Sequence, residues 1–193
     1  MGKATGPTYI VPFKRRRQNL TNYVKRLALL KSMKPRMVVR KSNKSVLAHF
    51  VSYAENGDVT VAAASSRELA KFGWHGSSNT PTAYLTGLLA GKRAKEKGVD
   101  EFVLDIGLAT PSRGALVFAA VKGAIDAGLK TKYEEDMVDA ERMRGEHIAK
   151  YAGSLKGKPE YDKMFASYLK ANFPPENIPE MFDKVKEEIM RSR

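Results

Sequence analysis

Residues 46–64 read VLAHFVSYAENGDVTVAAA. Two runs rich in β-branched and apolar residues flank Asn56-Gly57, and a tight hairpin turn that asks for positive φ takes such a pair. The stretch predicts an antiparallel hairpin with strands over 46–54 and 59–64. Just upstream, PRMVVRK (35–41) reads as a third short strand. KSNK (41–44) turns it into the second and places Lys41 and Lys44 on a hairpin tip. A three-stranded meander follows from these runs alone.

Downstream the pattern changes to alternating helix and strand. Thr80 reads as an N-cap with Pro81 at the first helical position. Tyr84, Leu85, Leu88 and Leu89 form an apolar stripe, Gly87 and Gly91 allow close packing on a sheet, and Gly98 ends the helix. DEFVLDIG (100–107) is short and largely apolar, as a strand buried on both faces should be. Ser112 reads as the cap of a second helix, with Leu116, Val117, Ala120, Val121, Ala124 and Ile125 on one face and Gly128 at its end. The order βββαβα implies an α/β fold, a mixed sheet covered by helices.

The flanks differ from this core. Upstream, Leu20, Val24, Leu27 and Leu30 recur at helical spacing, with Asn19 as the expected cap and Lys34-Pro35 as the stop. That stripe predicts a helix anchored on the protein. Residues 1–18 show no periodicity and carry Gly2, Gly6, Pro7 and Pro12, so they read as an extended arm, disordered when free. Residues 129–193 hold equal numbers of cations and anions in interrupted amphipathic segments, with helices expected near 137–151, 159–171 and 178–191. The expected division is a basic arm and helix (1–33), an α/β core (34–128) and a helical extension (129–193).

Charge is distributed unevenly. The chain of 193 residues carries a net charge of +13. The first acid is Glu55, and 13 cations precede it; the rest of the chain is balanced. A polyanion should therefore bind the first quarter most tightly. Tyr9, Phe13 and Tyr23 interleave with those cations, and arginine dominates the tight cluster Lys14, Arg15, Arg16 and Arg17. Guanidinium groups bind phosphate bidentately and stack on bases, which points to nucleic acid. A membrane-binding stretch would favour Lys opposite an apolar face. No apolar run reaches the ~18 residues of a membrane span, and no apolar signal core precedes the cations. With no cysteine, disulfides, thiolate metal sites and cysteine nucleophiles are excluded.

Three motifs invite enzymatic readings and fall short of them. GLLAGKR (87–93) has one residue too few for a phosphate-binding loop, and Arg93 stands where a hydroxyl would be needed. His49, His75 and His147 stand alone, without a second ligand at metal-binding spacing; His49 reads as half-buried packing. Asp105 lies in an apolar strand, but a two-metal nuclease needs several converging carboxylates. Glu101, Asp126 and Asp58 fall on other elements or at the wrong spacing, so Asp105 reads as a brace for the loop at 107–113. In FGWHGSSNTPTAYLTG (72–87), Trp74 either stacks on RNA or plugs the core, while His75 and the backbone face outward.

VPFKRRRQNLTNYVKRLALLKSMKPRMVVRKSNK, RELAKFGWHGSSNTPTAYLTGLLAGKRAKEKGV, FVLDIGLATPSRGALVFAAVKGAIDAGL and ERMRGEHIAKYAG together resemble the 5S-rRNA-binding large-subunit ribosomal protein family numbered eighteen, in its archaeal and eukaryotic form. The resemblance covers roughly residues 3–153. It implies a ribonuclease-H-like core without nuclease activity or cofactor. It also implies a cytoplasmic place in the ribosome, at the central protuberance, holding 5S rRNA against 23S rRNA beside the other 5S-binding protein. The implied RNA contacts are Lys14 to Arg17, Asn22, Tyr23 and Arg26, then Arg36, Arg40, Lys41, Ser42, Asn43 and Lys44, and the loop residues Trp74, His75 and Ser77. Lys3, Tyr9 and Phe13 join them from the arm's own charge and aromatic content. The competing expectations are a metal-dependent RNA-processing nuclease on the same fold and a DNA-compacting basic protein.

Overall fold

A computed structural model describes residues 6–192. In chain order the elements are α1 (Lys14–Arg17), α2 (Tyr23–Leu30), β1 (Arg36–Lys41), β2 (Val46–Ser52), β3 (Val59–Ser65), a 3-10 turn (Ser66–Phe72), α3 (Thr80–Glu96), β4 (Val103–Asp105) and α4 (Leu116–Asp126). The remainder forms α5 (Ala140–Arg144), α6 (Glu146–Leu155), α7 (Pro159–Met164), α8 (Ala166–Lys170) and α9 (Ile178–Arg191). The sheet runs β3-β2-β1-β4, with the meander antiparallel and β4 parallel to β1. The expected mixed sheet with helical cover is present.

Alternation along the strands sorts the side chains. Met37, Val39, Ala48, Phe50, Ala62 and Ala64 are buried on one face, beneath α3 and α4. Arg36, Val38 and Arg40 pair across the sheet with Val51, His49 and Leu47, so these residues share the opposite face. His49 on that face is half-buried, as its alternation predicts. The β2–β3 turn differs from the expectation in one respect. Gly57 alone takes positive φ (139°), because six residues rather than two separate Ser52 from Val59 and only one must turn backwards.

The capping residues shift by a few positions. Asn79, not Thr80, caps α3 by accepting from the Thr82 amide, and α4 begins at Leu116 after Ala115, not Ser112. α3 carries more than a stripe: Thr80 to Gly91 are buried on every side. It lies against the sheet, α4, α5 and α9 at once, which makes it the centre of the molecule. Its glycines serve α4, not the sheet. A Cβ at Gly91 would stand 2.8 Å from the Ala124 Cα.

The helical extension is part of the same core. Ile178, Phe182, Val185 and Ile189 are buried along one face of α9 and join the cluster that includes the sheet residues. Each such side chain contributes about 1.5–3 kcal/mol by leaving water. The helix expected at 137–151 is broken at Gly145, whose φ of 83° ends α5 and whose Cβ position is filled by Ile178 and Pro81. Phe165 similarly divides α7 from α8. The lysine of GLLAGKR is accounted for here: Lys92 donates to the Ile189, Met190 and Ser192 carbonyls at the end of α9, a favourable place for a cation.

Candidate nucleic-acid interface

The sheet face away from α3 and α4 carries α2 across a groove of about 610 Å³. Asn22, Lys25, Arg26 and Leu29 form one wall, and Val38, Arg40, Val51, Thr60 and Leu104 are among the others. Asn22, not Asn19, caps α2: its Oδ1 accepts from the Val24 and Lys25 amides at 3.1 Å. Asn19 instead sits at φ 52°, in the turn that links α1 to α2. The expected anchoring stripe is corrected as well. Val24, Leu27 and Leu20 are exposed, and Leu29 rather than Leu27 looks into the groove. Only part of the helix's apolar surface meets the sheet, so Val24 and Leu27 are left facing outward.

Five charged groups are linked by ion pairs across the groove. Arg26 Nη2 donates to both oxygens of Asp58 at 2.9 Å. Arg36 donates to Asp58 Oδ2 at 2.6 Å and to Asp105 Oδ2 at 2.7 Å. Arg40 reaches Asp105 Oδ1 at 3.0 Å and the Asp105 carbonyl at 2.7 Å. The Gly107 amide donates to Asp105 Oδ1 at 2.9 Å, which is the loop brace expected of this aspartate. Burial pushes the Asp105 carboxyl up, but the Arg40 guanidinium, the Gly107 amide and Arg36 together hold it below the ordinary carboxylate value.

This arrangement corrects two of the expected RNA contacts. The Arg36 side chain is 3% exposed and bound to two carboxylates, so it offers no surface to a ligand. Trp74 is 2% exposed; its Nε1 donates to Thr82 Oγ1, and its ring meets Phe173 and Phe182 edge-on. It plugs the core and presents no stacking platform. His75 is half-buried against Tyr168, and Ser77 lies 3.1 Å from the Tyr168 hydroxyl. Lys3 lies outside the described residues.

The other cations form a different population. Lys14, Arg15, Arg16, Arg17, Lys25, Lys31, Lys41 and Lys44 are exposed, with no carboxylate within 4 Å among the described residues. Arg15 Nε donates to Thr21 Oγ1 at 2.9 Å, which orients the arm. Phe13 and Tyr23 rings stand 5.2 Å apart, and Tyr9 and Phe13 are exposed beside them. On the hairpin tip, Ser42 and Ser45 bond to each other and close the turn, leaving Asn43 and Lys44 outermost. Unpaired cations with exposed rings are the chemistry that phosphates and unstacked bases take up.

The nuclease expectation gains nothing from this site. Among the described residues no three His, Cys, Asp or Glu side chains gather as a metal site, and both Asp105 oxygens are taken by arginine. No helix among the described residues is long and apolar enough to cross a membrane. A family model described as ribosomal large subunit proteins 60S L5 and 50S L18 matches residues 8–102 and 94–134. That span takes in the arm from residue 8, the sheet, α3 and α4, and the chain belongs to this family of large-subunit ribosomal proteins.

Proposed function

We propose that the protein binds 5S rRNA and attaches it to 23S rRNA at the central protuberance of the large subunit, in the cytoplasm, beside the other 5S-binding protein. Its family makes it a structural constituent of the ribosome with rRNA as its partner. The observation that carries the finer reading is the separation of charge. Within the acid-free first 54 residues, the exposed cations with no carboxylate partner lie on the arm, around α2 and at the β1–β2 tip, while the acids of the groove are consumed internally. Lys14 to Arg17, Asn22, Tyr23, Lys41, Ser42, Asn43 and Lys44 are the proposed contacts, joined by the exposed Lys25 of α2, with Tyr9 and Phe13 stacking on bases and Lys3, His75 and Ser77 at the margins.

Binding has two stages. The hairpin tip docks on an RNA helix through phosphate and 2′-OH contacts, and the arm then folds into a groove or junction. If about six cations meet phosphates, affinity weakens on the order of 10³-fold between 50 and 200 mM salt. The test is competition between 5S rRNA, tRNA and duplex DNA at physiological salt. 5S rRNA should win. Equal affinity for duplex DNA would instead mark a DNA-compacting protein, and a salt-insensitive affinity would sink the phosphate account.

A further inference from the structure

Thirteen cations precede the first acid in the sequence, yet three acids from later in the chain reach back to four of them: Glu101 to Lys34, and Asp58 and Asp105 to Arg26, Arg36 and Arg40. The connected series Arg26–Asp58–Arg36–Asp105–Arg40 passes from α2 through the β2–β3 turn, β1 and β4 to the loop that begins at Gly107. Each guanidinium in it has its charge met by a carboxylate at 2.6–3.0 Å. A phosphate could engage Arg36, 3% exposed, only by displacing a carboxylate; at Arg26 and Arg40, 34% and 46% exposed, it would meet a charge already shared with one. A cation already balanced by a carboxylate adds little net charge toward a phosphate, so it contributes less counterion release than an unpaired lysine does.

The same series answers how α2 is held. Val24 and Leu27 face solvent, so apolar burial fixes only part of the helix. Arg26 Nη2 is shared between both oxygens of Asp58, a charge-assisted contact that ties α2 to the β2–β3 turn. We infer that Arg26, Arg36 and Arg40 are positioning residues for RNA rather than phosphate ligands, and that through Asp58 and Asp105 they set where α2 and its cations stand relative to the hairpin tip. The spacing between those two cationic sets then selects RNA of matching shape. This rests on the rRNA-binding reading above.

Salt titrations of the full chain against 5S rRNA and tRNA test it, with Arg26→Gln, Asp58→Asn, their combination, and Lys25→Ala as the comparison. Lys25 is the unpaired neighbour of Arg26 in sequence. Arg26→Gln and Asp58→Asn should each lower the preference for 5S rRNA about fivefold, the upper range for a partly exposed ion pair. The double variant should lose no more than either single one. The slope of log affinity against log salt should be unchanged in all three. Lys25→Ala should do the reverse, reducing the slope by about one and sparing the preference. Arg26→Lys keeps the charge on a shorter, more flexible side chain and should fall in between, and it replaces any variant that does not fold. A slope reduced by about one in Arg26→Gln, together with tighter binding by Asp58→Asn, would make Arg26 a phosphate ligand and overturn the inference. So would an unchanged preference in both variants. Absence of a 5S preference in the unsubstituted protein overturns the parent reading, and is seen before any substitution is made.

Discussion

Gly87 of α3 meets Ala120 of α4 with no room for a side chain: a Cβ at Gly87 would stand 1.9 Å from the Ala120 carbonyl oxygen. Gly123 faces the Tyr84 carbonyl in the same way, at 2.1 Å. The two helices touch backbone to backbone. Gly87→Ala gains at most ~1 kcal/mol of helix propensity. It forces rigid backbone apart, and overpacking of this kind costs about 1–3 kcal/mol. The variant should have a lower midpoint in guanidinium denaturation. An unchanged or higher midpoint would mean that α4 moves aside freely.

Asp105 holds two arginines and the Gly107 amide. Asp105→Asn leaves the buried Arg36 with one carboxylate in place of two, and should destabilise the fold by about 3 kcal/mol at neutral pH. The carboxyl titrates below its ordinary value of 3.8. Its contribution is therefore complete above that value and is lost as the pH falls through the lowered folded-state value. Denaturation at pH 7 should separate the two proteins, and the gap should close in strong acid. Parallel pH profiles would contradict this.

Phe182 closes the core around the only tryptophan. Its ring lies 6.3 Å from Trp74 and 5.2 Å from Tyr84. Phe182→Ala should cost about 3–5 kcal/mol. Trp74 emission should shift to the red as water reaches the indole. A stable variant with unshifted emission would show that α9 merely rests on the core.

Residues 6–18 are exposed but for a half-buried Pro12, and their side chains add almost nothing to the core. Removing residues 1–18 should leave thermal stability unchanged while reducing the salt slope for rRNA binding by about three, as loss of four phosphate contacts requires. A slope that stays constant would move the binding site to the hairpin tip and α2 alone.

The sheet and the α3–α4 pair were legible because their signals are local. Asn56-Gly57, the β-branched runs and the Pro81 helix start each act within a few residues. α2 shows where such signals stop. Helical spacing of Leu20, Val24, Leu27 and Leu30 identifies a stripe but not what covers it, and here the sheet takes Leu29 and leaves Val24 and Leu27 outside. Arg36 was unreadable for a similar reason. In sequence it is one cation among 13. Its burial depends on Asp58 and Asp105, 22 and 69 positions away, and nothing in the acid-free stretch announces them. Trp74 sat between two readings until Phe173 and Phe182 supplied its neighbours from far along the chain.

That distance along the chain has a temporal meaning. Trp74 and Phe182 are separated by more than a hundred residues, and synthesis at ~5–20 residues per second leaves the indole waiting roughly 5–20 s for its neighbour. Throughout that interval the basic arm is already ahead of the indole in synthesis, and the side of α3 that α9 covers has no partner. The nascent protein thus presents its basic end long before its core can close, and the withdrawal of Trp74 from water marks the moment at which the core is complete.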